Sequence, residues 1–174
     1  MSFRSSSDPR LFPRAEQGKQ AAAAVAAIVA LAGCGGGGDG STQVVAGAGY
    51  RFAAPGDWDV RADGRTREAT GGDGAVSVTR FRLARPYRPS LWPAVARELD
   101  GVAARLAERL DATVAERRTT TIAGRRGRLY RLDGAEDGTT RIGFVLADRT
   151  EYQLLCRGPA ESACARLFTT FTLA

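Results

Sequence analysis

Two abrupt changes of composition divide the sequence near its start. An alanine-rich apolar run, residues 21–31, is followed by four consecutive glycines, residues 35–38, and all sequence of globular character lies after them. The residues before the apolar run carry a net charge of +2. The apolar run through Gly33 would form a helix about 20 Å long, whereas a bilayer core is about 30 Å thick. A basic segment before a short apolar run therefore favours a signal peptide over a membrane span.

The tetrad Leu31-Ala32-Gly33-Cys34 follows the apolar run directly. A branched apolar residue and two small residues before a cysteine resemble the lipobox of bacterial lipoproteins. Small residues suit a protease cleavage site, and a thiol is a nucleophile that can be alkylated. The resemblance implies that a signal peptidase recognises Leu31, Ala32 and Gly33, and that Cys34 becomes the lipidated N-terminus. An ordinary secretory signal with an incidental cysteine is the alternative.

This interpretation predicts three regions: a signal peptide (1–33), a lipidated cysteine with a glycine-rich tether (34–46), and one folded domain (47–174). Two or three acyl chains, palmitate among them, would hold the protein firmly, because each buried methylene contributes about 0.8 kcal/mol. We therefore expect a lipid-anchored protein at the extracytoplasmic face of the cell membrane. No transmembrane helix is needed for that location.

The chain contains no histidine. This excludes Ser-His-Asp, Cys-His and HExxH sites, and it removes the commonest metal ligand. Four of the 25 basic residues and two of the 19 acidic residues precede Cys34, so the exported part carries about +4. We expect no cofactor, no metal and no nucleic-acid partner. We also expect the protein to be a monomer. The densest basic cluster, Arg125-Arg126-Gly127-Arg128, predicts a solvated hairpin turn, with a docking patch as the alternative.

Hydrophobic periodicity predicts strands around one clear amphipathic helix. Ser90 is the expected helix N-cap, Pro93 lies in the first turn, and a buried stripe is expected at steps of three and four residues. The stripe comprises Leu91, Val95, Leu99, Val102, Leu106 and Leu110. The predicted strands are residues 50–52, 75–83, 114–122 (an edge strand), 128–132, 141–146 and a last one carrying Tyr152, Leu154 and Cys156. The alternation in residues 75–83 shifts, which indicates a bulge or burial of both faces.

Two cysteines of the domain face the predicted core. Cys156 alternates with apolar residues on a strand, and Cys164 shares a helical face with Leu167, Phe168 and Phe171. In an exported protein this pair favours a disulfide. Two reduced, buried cysteines remain the alternative, and a metal site is disfavoured because no third thiol or histidine is available.

The opening segment Tyr50-Arg51-Phe52-Ala53-Ala54-Pro55-Gly56-Asp57-Trp58, the helix from Leu91 and the Cys156/Cys164 ending resemble the PsbP-like proteins. That group includes actinobacterial LpqN-type lipoproteins. The resemblance covers about residues 47–174. It implies an α+β fold, an antiparallel sheet flanked by helices in an α/β/α sandwich, and non-catalytic binding or assembly at the cell envelope. No ligand or metal residue of that group can be assigned here.

Three functions are therefore distinguished. The leading hypothesis is a lipid-anchored, non-enzymatic binding or assembly module of the cell envelope. The second is a carrier that holds a lipid or glycolipid between helix and sheet. The third is an envelope hydrolase that uses two carboxylates, for which Glu151 and Asp148 are the candidates, although acids on a surface hairpin are usually only solvated.

Overall fold

The computed structural model describes residues 40–72, 74–135 and 138–174, which belong to one compact unit, Gly38–Ala174. The predicted signal peptide, its Leu31-Ala32-Gly33 tripeptide and Cys34 lie outside the described residues. Neither helix of the described part combines the length and apolarity that are needed to cross a bilayer.

The described chain contains ten strands and two helices. The strands are β1 (Thr42–Gly47), β2 (Tyr50–Pro55), β3 (Asp59–Asp63), β4 (Thr66–Gly71), β5 (Gly74–Arg82), β6 (Thr113–Ile122), β7 (Arg125–Ala135), β8 (Gly138–Ala147), β9 (Thr150–Arg157) and β10 (Thr172–Leu173). The helices are α1 (Trp92–Arg109) and α2 (Glu161–Thr170), and Pro89–Leu91 form a 3₁₀ turn before α1.

The strands form two antiparallel sheets. The large sheet has the order β3-β4-β5-β9-β8-β7-β6, and the small sheet has the order β1-β2-β10. The β8–β9 hairpin pairs Ala147 with Thr150 across a turn at Asp148 and Arg149. The predicted edge strand is confirmed, because β6 ends one side of the large sheet.

Two hydrophobic clusters cover opposite faces of the large sheet. On one face Leu99, Ala103 and Ala107 of α1 pack against a set of sheet side chains, namely Tyr130, Leu132, Ile142, Phe144 and Leu146. On the other face α2 and the small sheet pack against β5 and β9. The predicted α+β sandwich, an antiparallel sheet flanked by helices, is therefore confirmed. Burial of both faces accounts for the shifted alternation of β5, since four consecutive residues are all buried: Ala75, Val76, Ser77 and Val78.

Helix α1 differs from its prediction in two respects. Ser90 is not the N-cap, because Pro89 opens the 3₁₀ turn and α1 begins at Trp92 without a side-chain cap. Of the predicted stripe only Leu99 is fully buried, whereas Ala103 and Ala107 are completely covered or nearly so. Small side chains let the helix lie close to a sheet face that carries Tyr130 and Phe144. The larger residues Val95, Val102, Leu106 and Leu110 flank that contact and are partly buried.

The basic cluster 125–128 is strand and not a turn. The chain reverses at Ala123 and Gly124, which both have positive φ angles, and β7 begins at Arg125. The turn therefore precedes the cluster. Its residues alternate across the sheet, so they do not form one solvated loop.

The folded part also begins earlier than predicted. Strand β1 lies within the segment 34–46 that was expected to be tether, because Val45 packs into the core opposite Phe52. The hairpin of β3 and β4 was missed as well. All five residues of β3 are exposed, so this strand carries no hydrophobic alternation that the sequence could have revealed.

Candidate functional site

A cleft opens between the N-terminal half of α1 and one end of the large sheet. Its volume is about 520 Å³. We call it the α1 cleft. Its lining consists of Leu83, Ala84, Arg85, Pro86 and Tyr87 of the β5–α1 connector; Leu91, Val95, Glu98, Leu99 and Val102 of the 3₁₀ turn and α1; and Leu146 and Glu151 of the sheet. Most of this lining is apolar.

The connector wall of the α1 cleft is fixed by backbone hydrogen bonds. The Leu83 amide donates to the Arg149 carbonyl at 2.8 Å, and the Tyr87 amide donates to the Asp148 carbonyl at 2.6 Å. Both acceptors belong to the β8–β9 turn. The cleft wall is therefore attached to the sheet at two points, four residues apart.

The α1 side of the cleft is held in place by an ionic cluster on the sheet face that α1 covers. Arg128 donates from Nε to Asp100 Oδ1 and from Nη2 to Asp100 Oδ2, each at 3.0 Å, in a bidentate pair. The Tyr130 hydroxyl donates to Asp100 Oδ1 at 2.7 Å, and Arg128 Nη1 donates to Thr119 Oγ1 at 3.2 Å. These bonds join α1 to β7 and β6, two residues along the helix from Glu98. Because charged bidentate pairs are directional, they fix the position of this helix segment.

Burial and hydrogen bonding shift the pKa values in this cluster. Burial works to raise the pKa of Asp100, but the hydrogen bonds from Tyr130 and Arg128 outweigh it and lower that pKa below its usual value. Burial and the Asp100 carboxylate raise the pKa of Tyr130. Asp100 is thus an ionised acceptor at neutral pH, and the role of the cluster is to hold α1 against the sheet.

Two carboxylates face the α1 cleft without a partner. None of the described residues forms an ion pair or a hydrogen bond with the side chain of Glu98 or Glu151. Burial raises the pKa of Glu151, and the nearby Glu98 carboxylate raises it further. A half-buried carboxylate beside a like charge is poorly solvated, and an incoming group of opposite charge would relieve it.

A second cavity, about 390 Å³, lies on the opposite face of the sheet beside α2. It is lined in part by Arg118, Arg131 and Arg141. Each of these arginines has an acidic partner: Glu116 at 3.0 Å, Asp133 at 3.3 Å and Glu161 at 2.8 Å, respectively. The charges of this cavity are therefore compensated within the protein, unlike those of the α1 cleft.

Only one member of the hydrolase pair that the sequence suggested lies at the α1 cleft. Asp148 is exposed in the β8–β9 turn and does not line the α1 cleft, whereas Glu151 does. The acidic neighbour of Glu151 is Glu98, which lies 53 positions earlier in the chain and belongs to a helix. No sequence signal joined these two residues, because their approach depends on the packing of α1 over the sheet. Among the described residues no group of three His, Cys, Asp or Glu side chains could hold a metal ion.

The predicted disulfide is present in the described structure. Cys156 of β9 and Cys164 of α2 are bonded, with their Cα atoms 5.5 Å apart. The alternative of two reduced cysteines is therefore wrong for this structure. The bond attaches α2 to the sheet face opposite the α1 cleft.

The fold is an α+β sandwich, an antiparallel sheet flanked by helices, with a mostly apolar cleft that carries two carboxylates. The solution structure of cyanobacterial PsbP (CyanoP) from Synechocystis sp. PCC 6803 is similar, with a TM-score of 0.57 and 13% identity. The match covers 83% of this chain and 99% of CyanoP. A crystal structure from Bacteroides thetaiotaomicron at 1.50 Å has a TM-score of 0.53 and 14% identity, over 78% of this chain and 48% of that chain. Comparison of the sequence with protein-family models and with curated proteins gives no match.

Proposed function

We propose that this protein is a non-catalytic binding module, held at the extracytoplasmic face of a cell membrane by acyl chains on Cys34. Its ligand site is the α1 cleft. The observation that carries this proposal is the cleft itself, because small-molecule sites are typically apolar concavities of about 300 to 1,000 Å³ with a few placed polar groups. At about 520 Å³, with two carboxylates on an apolar lining, the α1 cleft fits that description.

Two independent features of the sequence and fold support the proposed extracytoplasmic location. The order of basic segment, apolar run and Leu31-Ala32-Gly33-Cys34 is that of a lipoprotein precursor. The disulfide between Cys156 and Cys164 agrees with export, because disulfides persist in oxidising compartments and are rare in the cytosol. The similarity to CyanoP concerns the fold of the module alone.

The position of the cleft relative to the start of the domain supports a ligand from the aqueous side. The Ser41 carbonyl accepts from the Gly56 amide, and the Trp58 ring lies against Gly71 and Gly74. The chain thus enters the domain near the start of β5, whereas the cleft begins at Leu83, just after β5 ends. Nine residues of strand separate these ends by about 30 Å. A domain held by its N-terminus would present the cleft away from its attachment point.

Photo-crosslinking in native membranes tests the cleft as a binding site. A photoreactive amino acid replaces Leu91, whose side chain is 48% exposed at the cleft, and a matched control replaces Val60 of β3, which is 43% exposed. We expect a discrete adduct from position 91 only. Equal or absent labelling at the two positions would contradict the proposal.

Substitution of the cysteine tests the anchor. We expect Cys34→Ser to leave the membrane fraction or to accumulate as an unprocessed precursor, and to lose incorporation of labelled fatty acid. Gly35→Ser, which puts the same hydroxyl one residue later, should fractionate and label like the wild type. A Cys34→Ser protein that is still labelled and membrane-bound would refute acylation at this residue.

The second candidate function is a lipid or glycolipid carrier. The observation that favours it is the apolar lining of the cleft between helix and sheet, with Leu83, Leu91 and Val95 available to an acyl chain. A carrier would retain a lipid through purification, which mass spectrometry of a lipid extract would detect. A protein that binds envelope partners without any retained lipid would favour the first candidate.

A further inference from the structure

We propose that the α1 cleft selects an amphiphilic cation, a ligand whose ammonium or guanidinium group lies between Glu98 and Glu151 while a compact apolar body covers Leu91 and Val95. This inference rests on the proposed function, since it assigns a ligand class to the same cleft. It goes further by predicting the sign of the ligand's charge.

The α1 cleft carries more acidic than basic residues, although the protein as a whole is basic. The part of the chain from Cys34 on carries about +4, and its arginines exceed its acids. Even so, two of the three charged residues that line the cleft are acidic, and no ion pair joins the third, Arg85, to either of them in the described residues. In the cavity beside α2, by contrast, every lining arginine has an acidic partner. The cleft is thus a site of uncompensated negative charge.

Leaving the partly buried Glu151 without a counter-ion is costly, whereas Glu98 beside it is exposed. Glu151 lies on β9 between Phe81 of β5 and Leu146 of β8, so its flanks within the sheet are apolar. The remaining charged groups at the cleft are Glu98 from α1 and Arg85 from the connector. An anionic headgroup would add repulsion to an existing like-charge pair, whereas a cation would pair with both carboxylates.

An apolar surface lies next to the two carboxylates of the cleft. Leu91 is one of four large hydrophobic side chains in the described chain that are substantially exposed, and it lies at the cleft. Val95 and Leu83 continue the surface from the helix and the connector. A ligand that carried only a charge would leave this surface in water, so the site favours a cation attached to an apolar body.

Three probes of equal shape and different charge test the selectivity. They are 4-phenylbutylammonium, 4-phenylbutanol and 4-phenylbutanoate, titrated into the full-length protein as isolated while the Leu and Val methyl signals of the cleft are followed by NMR. We expect the ammonium probe to bind most tightly and the carboxylate probe at least about tenfold more weakly, because hydrogen bonds to charged groups are stronger than neutral ones and like charges repel. The affinity of the ammonium probe should also rise with pH as Glu151, whose pKa is raised by burial, loses its proton, while the affinity of the alcohol stays constant.

Matched variants distinguish the effect of the two carboxylate charges from the effect of the cleft's shape. Glu98→Gln with Glu151→Gln keeps the shape and should weaken the ammonium probe about tenfold, with the alcohol unchanged within about twofold. Glu108→Gln, an exposed residue of the same helix outside the cleft, should behave like the wild type. Equal affinity for all three probes, or an ammonium preference that survives in the double variant, would overturn the cation assignment and leave the cleft as a binding site. Failure of every probe to shift the cleft methyls would count against the cleft as well.

Discussion

At the scale of single residues, two carboxylates of α1 lie close in sequence and have opposite roles. Asp100 is paired by Arg128 and Tyr130, whereas Glu98 is turned toward the cleft and has no partner in the described residues. The sequence offered no means to tell them apart, since both are acids off the expected apolar stripe. The difference comes from their rotation about the helix axis, which directs one to β7 and the other to the cleft.

Removal of the Asp100 charge should destabilise the protein. We expect Asp100→Asn to lower the free energy of unfolding by about 2 kcal/mol, because it weakens hydrogen bonds to a charged acceptor and leaves Arg128 without its counter-ion. Since the pKa of Asp100 is lowered in the folded state, its contribution is present above its unfolded pKa and is lost as the pH falls through the folded pKa. The difference between wild type and variant, measured by urea denaturation, should therefore shrink at acidic pH. A difference that does not change with pH would contradict this role.

Substitution of Glu151 should have the opposite effect. Its pKa is raised in the folded state, so the ionised form disfavours folding at neutral pH, while below the unfolded pKa both states are protonated. We expect Glu151→Gln to raise the melting temperature by a few degrees near pH 7, with the gain vanishing near pH 4. Calorimetry at the two pH values measures this. A variant less stable than the wild type at neutral pH would show that Glu151 has a favourable partner.

At the scale of elements, predictability follows the strength of the hydrophobic signal. Strands β5, β8 and β9 are buried on one or both faces, and all three were recognised in the sequence: β5 within one residue of its bounds, β8 three residues short at its start, and β9 by its alternating side chains. Strand β3 is exposed along its whole length and left no signal, and the turn before β7 was misplaced because Gly127 was taken as part of it. The cleft was beyond prediction, since it unites the connector, α1 and the start of β9 through tertiary packing alone.

The disulfide should stabilise the fold, because it fixes α2 to β9. For a loop of this size the chain-entropy model gives about 2.5 kcal/mol. We expect Cys156→Ala with Cys164→Ala to lose about that free energy of unfolding in guanidinium titrations. Reductant should destabilise the wild type to a similar level and leave the double variant unchanged. A wild type that is insensitive to reductant would contradict a structural role for the bond.

Two glycines in different elements should respond oppositely to alanine. A Cβ at Gly143 of β8 would lie 2.6 Å from Phe168 Cε1 of α2, whereas at Gly101 of α1 it would meet only the Arg105 guanidinium at 3.4 Å. We expect Gly143→Ala to cost about 1 to 3 kcal/mol by overpacking and Gly101→Ala to gain about 0.5 to 1 kcal/mol in helix propensity. Chemical denaturation of both variants measures the contrast. A stabilised Gly143→Ala would mean that α2 can move away from the sheet.

At the scale of the whole molecule, the two ends of the large sheet differ in what they carry. The end at which the chain enters carries Trp58 against Gly71 and Gly74, and the disulfide closes the same face nearby through Cys156. The opposite end carries the α1 cleft with its unpartnered acids. This arrangement agrees with the proposed binding module, in which the cleft lies at the end of the sheet away from the entry of the chain.

The most direct test of this account is native mass spectrometry of the protein released gently from its own membrane, with Val95→Phe as the cleft-filled variant. We expect a chain that begins at an acylated Cys34, contains the Cys156–Cys164 bond, and carries a bound species that Val95→Phe lacks. An unacylated chain that retains residues 1–33, or the same bound species in both proteins, would contradict it.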